Sequence, residues 1–194
     1  MGRPSLKQER RVEILKAYER CVARYGVEGA TLERTAKEAG LARALLRHHV
    51  GNREELLNGL VEQFLEKSRT DTEALFAALP ETNRLSTLID WLFDPAYSNT
   101  EAVLVSEALI AASSTRPELA EKMKGWVRDF VEPLIAELQR SFANHDKETL
   151  SSVAMGVTAI YFNSESLAPL GAVPDIQKTS REAARRLVST LETS

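Results

Sequence analysis

The chain has 194 residues, 43% of them hydrophobic and 27% charged, with a net charge of −3. That suits one large globular domain, or a small domain fused to a larger one. No apolar run approaches the length of a spanning helix and the start MGRPSLKQERR lacks a secretory leader's apolar stretch, so no membrane span or leader is expected and a cytoplasmic location is.

The charge is unevenly spread. Residues 1–53 hold 12 Lys and Arg against 6 Glu, whereas residues 54–194 hold 13 against 22 Asp and Glu. A basic end joined to an acidic remainder reads as a head that faces a polyanion, or as a chance fluctuation of solvated charge.

Ile14, Leu15, Tyr18, Cys21, Val22 and Tyr25 recur at helical spacing and predict a first helix from about Ser5 to Tyr25, stopped by Gly26. The single cysteine, Cys21, excludes an internal disulfide and reads as a buried inert thiol in preference to a redox sensor. A second helix is expected from Leu32 to Ala39, with Thr31 as N-cap and Gly40 as terminator. A third follows from Ala42 to about Val50. Leu46 and Val50 stand four apart and share one face, which leaves Arg43, Arg47, His48 and His49 outside. Two short helices around a Gly-containing turn, dense in Arg and His, are the sequence form of a helix-turn-helix.

Asn52 and Glu55 have the spacing of a capping box that opens a long fourth helix. Its stripe of Leu56, Leu57, Leu60, Val61, Phe64, Leu65, Leu75, Phe76 and Leu79 ends at Pro80. Further helices are predicted over about Arg84–Phe93, Thr100–Ser113, Pro117–Phe142 with a kink at Pro133, Glu148–Leu167 and Ile176–Leu191. Pro169, Gly171 and Pro174 mark a loop before the last. Leu150, Val153, Val157, Ile160, Tyr161 and Ser164 are expected to face inward from the eighth helix, and Ile176, Ala183, Leu187, Val188 and Leu191 from the ninth. No strand pattern stands out, so the expected fold class is all-α with about nine helices.

The segments RYGVEGATLERTAKEAG, LARALLRHHV and GNREELL carry a family likeness. Over residues 10–65 the chain resembles the N-terminal domain of tetracycline-repressor (TetR) family transcription regulators. The resemblance implies an arm and helix-turn-helix domain over residues 1–52. A helical ligand-binding and dimerisation domain over residues 53–194 would complete the chain. Two departures stand out. Ala42 replaces the usual Ser or Thr cap of the recognition helix, and Ala44-Leu45-Leu46-Arg47 replaces the family's frequent Gly-Thr-Leu-Tyr. Arg47 thus puts a cation where relatives have an aromatic phosphate contact, and Leu45 puts a methyl-bearing side chain where they have a small polar one.

Arg43, near the start of the recognition helix, is the first choice to clamp a guanine. Ala44 and Leu45 line the same surface, and Leu45 suits a thymine methyl. Arg47 and His48 reach bases or phosphates, while His49, Arg53 and Thr31 are expected to hold phosphates. A plain surface position or a turn hydrogen bond remains the other reading for both histidines. Arg3, Lys7, Arg10 and Arg11 form an arm that reaches DNA or is merely solvated. No metal site is expected, because adjacent histidines point in different directions and only His145 remains elsewhere.

In the remainder, Phe64, Trp91, Phe93, Tyr97, Met123, Trp126, Phe130 and Tyr161 line an apolar effector cavity or pack as core. Ser151, Ala154, Val157, Tyr161 and Leu187 are expected at a two-fold dimer interface, or pack within one subunit. The reading is a ligand-responsive, sequence-specific regulator, a repressor that binds a palindromic DNA operator as a homodimer and is released by a small hydrophobic effector. A small all-α enzyme and an interaction protein without DNA binding are the alternatives. The sequence shows no nucleophile–base pair, ligand cluster or phosphate loop, so no catalytic residue or cofactor is expected.

Overall fold

The computed structural model describes residues 6–167, 170 and 176–192. Arg3, Pro169, Gly171, Pro174 and the side chain of Lys7 lie outside the described residues. Nine α-helices run through the rest: α1 (Leu6–Gly29), α2 (Leu32–Glu38), α3 (Arg43–Val50), α4 (Arg53–Ala77), α5 (Arg84–Leu92), α6 (Thr100–Ser113), α7 (Pro117–Ser141), α8 (Lys147–Ser166) and α9 (Ile176–Ser189). No strand occurs among the described residues, and no helix there is long and apolar enough to cross a membrane.

Local chemistry sets most boundaries. Gly26 leaves helical geometry at φ 67°, a left-handed value that glycine adopts without a Cβ penalty, and the chain turns once more to Gly29. Thr31 caps α2 by accepting from the Arg34 amide at 3.2 Å. Two closing bonds end α2 around Gly40: the Leu41 amide donates to Ala36 O and the Gly40 amide to Lys37 O. This is a Schellman turn, and Gly40 sits at its left-handed position with φ 65°. The capping box before α4 is reciprocal: the Glu55 amide donates to Asn52 Oδ1 at 3.0 Å and the Asn52 amide to Glu55 Oε2 at 2.8 Å. Asp146 caps α8 in the same manner, through the Thr149 amide. α7 remains one helix across Pro133.

The described residues divide into two compact units. The first joins Met1–Lys67 with Glu101–Met123. Its core holds Ile14, Tyr18, Val22, Leu46, Leu56 and Leu60, all at or near zero exposure. Cys21 is buried there and in no disulfide, and burial pushes its thiol up. The second unit joins Ser68–Thr100 with Lys124–Ser194. Leu88, Leu134, Leu138, Leu150, Ala154 and Val157 are fully buried in its core. On α9, Val188 and Leu191 are buried as expected, but Ala184 and not Ala183 is buried with them. One residue is about 100° of helix, enough to turn a side chain from core to solvent.

Candidate nucleic-acid interface

α1, α2 and α3 pack on one another in the first unit. Leu46 at 0% and Val50 at 4% exposure anchor α3 from below. Arg43, Ala44, Leu45, Arg47 and His48 are all exposed. Arg43 and Arg47 are four apart and therefore neighbours on one face. Leu45 is 44% exposed and available for an apolar contact. The exposed part of α3 thus carries two cations, a histidine and an apolar Leu45, above a buried hydrophobic foot.

The other expected contacts have more constrained surroundings. His49 is half-buried, and its Nδ1 is buried without a hydrogen-bond partner. Its ring meets that of His48 edge to face at 5.4 Å, closer than the divergent placement expected of neighbours. Among the described residues no group of three metal-ligating side chains forms. Thr31 is exposed, with its hydroxyl engaged in capping. Arg53 Nη2 donates to Val27 O at 2.7 Å and to Glu28 Oε2 at 2.9 Å, so part of its guanidinium is held within the protein. Arg10 lies on α1 and pairs with Glu13 at 2.7 Å; the arm is helical from Leu6 onward.

Ala42 stands at the N-cap of α3 in the extended geometry of a cap, φ −68° and ψ 140°, but offers no side-chain acceptor. Ala42→Ser is expected to stabilise α3 by about 1 kcal/mol. Slower amide hydrogen exchange in residues 44–46 checks this; unchanged exchange refutes it.

No family model matches the chain. The HTH-type transcriptional regulator BetI of Stenotrophomonas maltophilia is 29% identical over 122 residues, which cover 62% of this chain and 62% of that relative. The matched stretch is therefore less than two thirds of the relative's length. The crystal structure of a candidate transcriptional regulator from Pseudomonas aeruginosa PAO1 superposes with a TM-score of 0.79 at 16% identity, over 96% of this chain and 91% of that one. A member of the TetR family from Streptomyces coelicolor A3 superposes with a TM-score of 0.65 at 23% identity, over 92% and 98%. This is the TetR-family fold. The helix-turn-helix of the TetR fold is the α2–α3 unit described above.

Several of the residues expected to line an effector cavity or pack as core meet ring to ring. Trp126 stacks on Phe162 with ring centroids 5.0 Å apart, and its indole N–H donates to Ser68 Oγ at 2.6 Å. Phe130 stacks on Tyr161 at 5.6 Å, and Phe93 meets Tyr161 edge to face at 6.0 Å. Burial pushes the Tyr161 phenol up to about 12. Trp91 tilts against Tyr97 at 6.4 Å, and Tyr97 is exposed. Phe64 and Met123 belong to the first unit and the other six to the second. A cavity of about 780 Å³ opens elsewhere in the second unit, over Leu85, Ile89, Phe142 and Val188, with Arg84, Arg140 and Arg185 also lining it.

The expected dimer contacts need a correction. Ala154 and Val157 are at 0% exposure inside their own protomer, so neither faces a partner. Tyr161 belongs to the aromatic stack. Leu187 is half-buried, and its Cδ2 would come within 2.5 Å of a Cβ built on Gly156, which shows how closely α9 approaches α8 there. Ser151 is half-exposed, and the outward face of α8 carries Ser152, Met155 and Ala159.

Proposed function

We propose that the chain is a ligand-responsive, sequence-specific DNA-binding transcription regulator, a cytoplasmic repressor that binds a palindromic operator as a homodimer. Residues 1–52 form the reading head, and residues 53–194 bind the effector and make the dimer. The observation that carries this is the outward face of α3, with Arg43, Leu45, Arg47 and His48 exposed above a buried Leu46 and Val50. That is the arrangement a recognition helix needs to enter a major groove. The naming of BetI as an HTH-type regulator supports it, and tells against the enzyme alternative.

Selection of bound fragments from random and genomic duplex DNA tests the reading. A recovered motif with two-fold symmetry is expected. Binding should weaken steeply with salt, with log affinity falling by about 0.9 per phosphate contact for each unit of log salt. Failure to enrich any motif overturns specific DNA binding.

The effector is a small, largely apolar molecule that enters the second unit. Trp126 is the natural reporter, because a ligand that parts it from Phe162 or Ser68 changes the polarity around the indole. Ligand and DNA affinities are then linked reciprocally, by a coupling of ~1–3 kcal/mol. A compound that shifts tryptophan emission and leaves DNA affinity unchanged refutes this linkage.

Dimerisation is assigned to the outward face of α8 and α9. Met155 is 49% exposed at its centre, while the protomer's own core lies behind it. Met155→Glu is expected to yield folded monomers that bind a full palindrome poorly. Sedimentation of a wild-type monomer at micromolar concentration, or of an unaltered Met155→Glu dimer, overturns the assignment.

A further inference from the structure

Three helical elements of the first unit meet at one carboxylate. Glu28 lies in the last turn of α1, just beyond the Gly26 bend. Its Oε2 accepts from Arg53 Nη2 at 2.9 Å, and Arg53 is the first residue of α4. Its Oε1 accepts from Arg116 Nη2 at 2.6 Å, and Arg116 stands between α6 and α7. Arg53 is 25 residues away in the sequence and Arg116 is 88. These bonds, Arg116's first, hold the Glu28 carboxyl below the usual carboxylate range. Glu28 itself is 68% exposed, so the protein does not need it for core packing.

Beside this clamp lies an anomaly. Tyr18 has zero exposure, and its hydroxyl has no hydrogen-bond partner. Burial pushes the phenol up to about 12, with Arg53, Glu54, Arg116 and Glu28 all acting on it electrostatically. A buried hydroxyl without a partner is unfavourable and open to any donor that swings into reach. Arg116 bonds the Glu28 carboxylate and, more weakly, Ala112 O at 3.4 Å and Thr115 Oγ1 at 3.5 Å on its own junction.

We propose that Glu28 is a positioning residue for DNA binding: it competes with a DNA phosphate for Arg53, and Arg116 sets the outcome by holding the Glu28 carboxylate at the α6–α7 junction. This rests on the reading of the chain as a DNA-binding protein. Arg53 opens α4 next to the recognition helix, where a backbone phosphate is its natural anion. Bound to Glu28, it offers that phosphate less of its guanidinium, and the carboxylate adds repulsion. While Arg116 neutralises Glu28, Arg53 is free to leave. When the α6–α7 junction shifts and Arg116 leaves Glu28, the uncompensated carboxylate retains Arg53 and DNA is released. The junction thereby regulates the head through one charge.

The experiment measures equilibrium binding to a duplex recovered by fragment selection, across a salt series, for wild type, Glu28→Gln, Arg116→Gln and the double variant. Glu28→Gln should bind at least about fivefold tighter, the lower end of coupling between linked sites. Its salt slope should steepen by about 0.9, the signature of one added phosphate contact. Arg116→Gln should bind more weakly with a shallower slope, and it carries the test alone if Glu28→Gln does not fold. The double variant should match Glu28→Gln, because Arg116 acts only through Glu28. Equal slopes for wild type and Glu28→Gln overturn the proposal, as does a double variant in which the two effects simply add. If wild type enriches no duplex, the DNA-binding reading fails and the proposal falls with it; that outcome is distinct because it appears before any substitution.

Discussion

Replacing Arg84 by Met is expected to destabilise the protein, because it breaks an ion pair with a buried carboxylate from one side. Glu137 is 5% exposed. Arg84 holds it in a fork, with Nε on Oε2 at 2.9 Å and Nη2 on Oε1 at 2.8 Å. The same guanidinium donates to the carbonyls of Phe76 at 3.2 Å and Leu79 at 3.1 Å, where α4 has run out of helical partners. Methionine fills some of the volume but leaves a buried carboxylate and orphaned carbonyls. For a chain of this size the melting temperature should fall by about 2–4 °C for each kcal/mol. A loss below about 1 kcal/mol shows that water replaces the guanidinium.

The pH dependence has a definite sign. In the wild type, the hydrogen bonds from Arg84 lower the Glu137 pKa. Its stabilising contribution is therefore complete above the unfolded carboxyl value of about 4.3 and is lost as pH falls through the folded value below that. In Arg84→Met the carboxyl keeps only the exposed Arg140, 3.9 Å away, and burial outweighs that weaker attraction, so its folded pKa rises above the unfolded one. The folded variant then takes up a proton that the unfolded chain releases, and its stability increases as pH falls. The stability gap between wild type and variant should narrow from pH 7 to pH 4. Arg84→Met/Glu137→Leu should recover most of the loss at every pH, since the pair's removal takes away both the attraction and the desolvation. A gap that stays constant with pH assigns the loss to the α4 carbonyls and not to Glu137.

The features of the fold that were legible from sequence are those whose causes lie within a few residues. Thr31, Gly40, Asn52 with Glu55, and Gly26 act through bonds or dihedral angles inside one turn, so their spacing reveals them. The same holds for the α3 face, because Leu46 and Val50 establish which side is buried. What was not legible depends on partners far along the chain. Arg84 and Glu137 are 53 residues apart, and Glu28 and Arg116 are 88 apart; a sequence shows four ordinary surface charges there. Their strongest local hint is Glu28, an acid placed just after a Gly bend inside an otherwise basic head. The aromatic residues were ambiguous for another reason. Trp126, Phe130 and Tyr161 have the composition of a cavity wall, but whether rings face a void or one another depends on packing that composition does not encode. Phe162, which stacks on Trp126, carried no signal beyond its neighbour Tyr161. In the dimer assignment, Ala154 and Val157 fit the helical stripe, and the stripe faces the protomer's own core.

Arg43→Ala and Arg47→Ala are expected to differ in kind. Both side chains are exposed on α3 and four residues apart, so one groove admits both. Arg43 is the first residue of the helix, above the uncapped Ala42, and the N-terminal end of a recognition helix meets base edges. Its removal should weaken binding to the preferred site by about 1–3 kcal/mol and relax preference at one position per half-site. Arg47 lies a turn later, beside the Gly51 bend that leads to α4, and its cation suits a phosphate. Its removal should weaken all duplexes alike and flatten the salt slope by about 0.9. Affinities of both variants for every single-base change in the selected motif, each over a salt series, separate the roles. If Arg43→Ala keeps the full preference profile while Arg47→Ala loses it, the two roles are exchanged. If neither alters binding, α3 is not the reading element, and its exposed cations above Leu46 and Val50 serve another purpose.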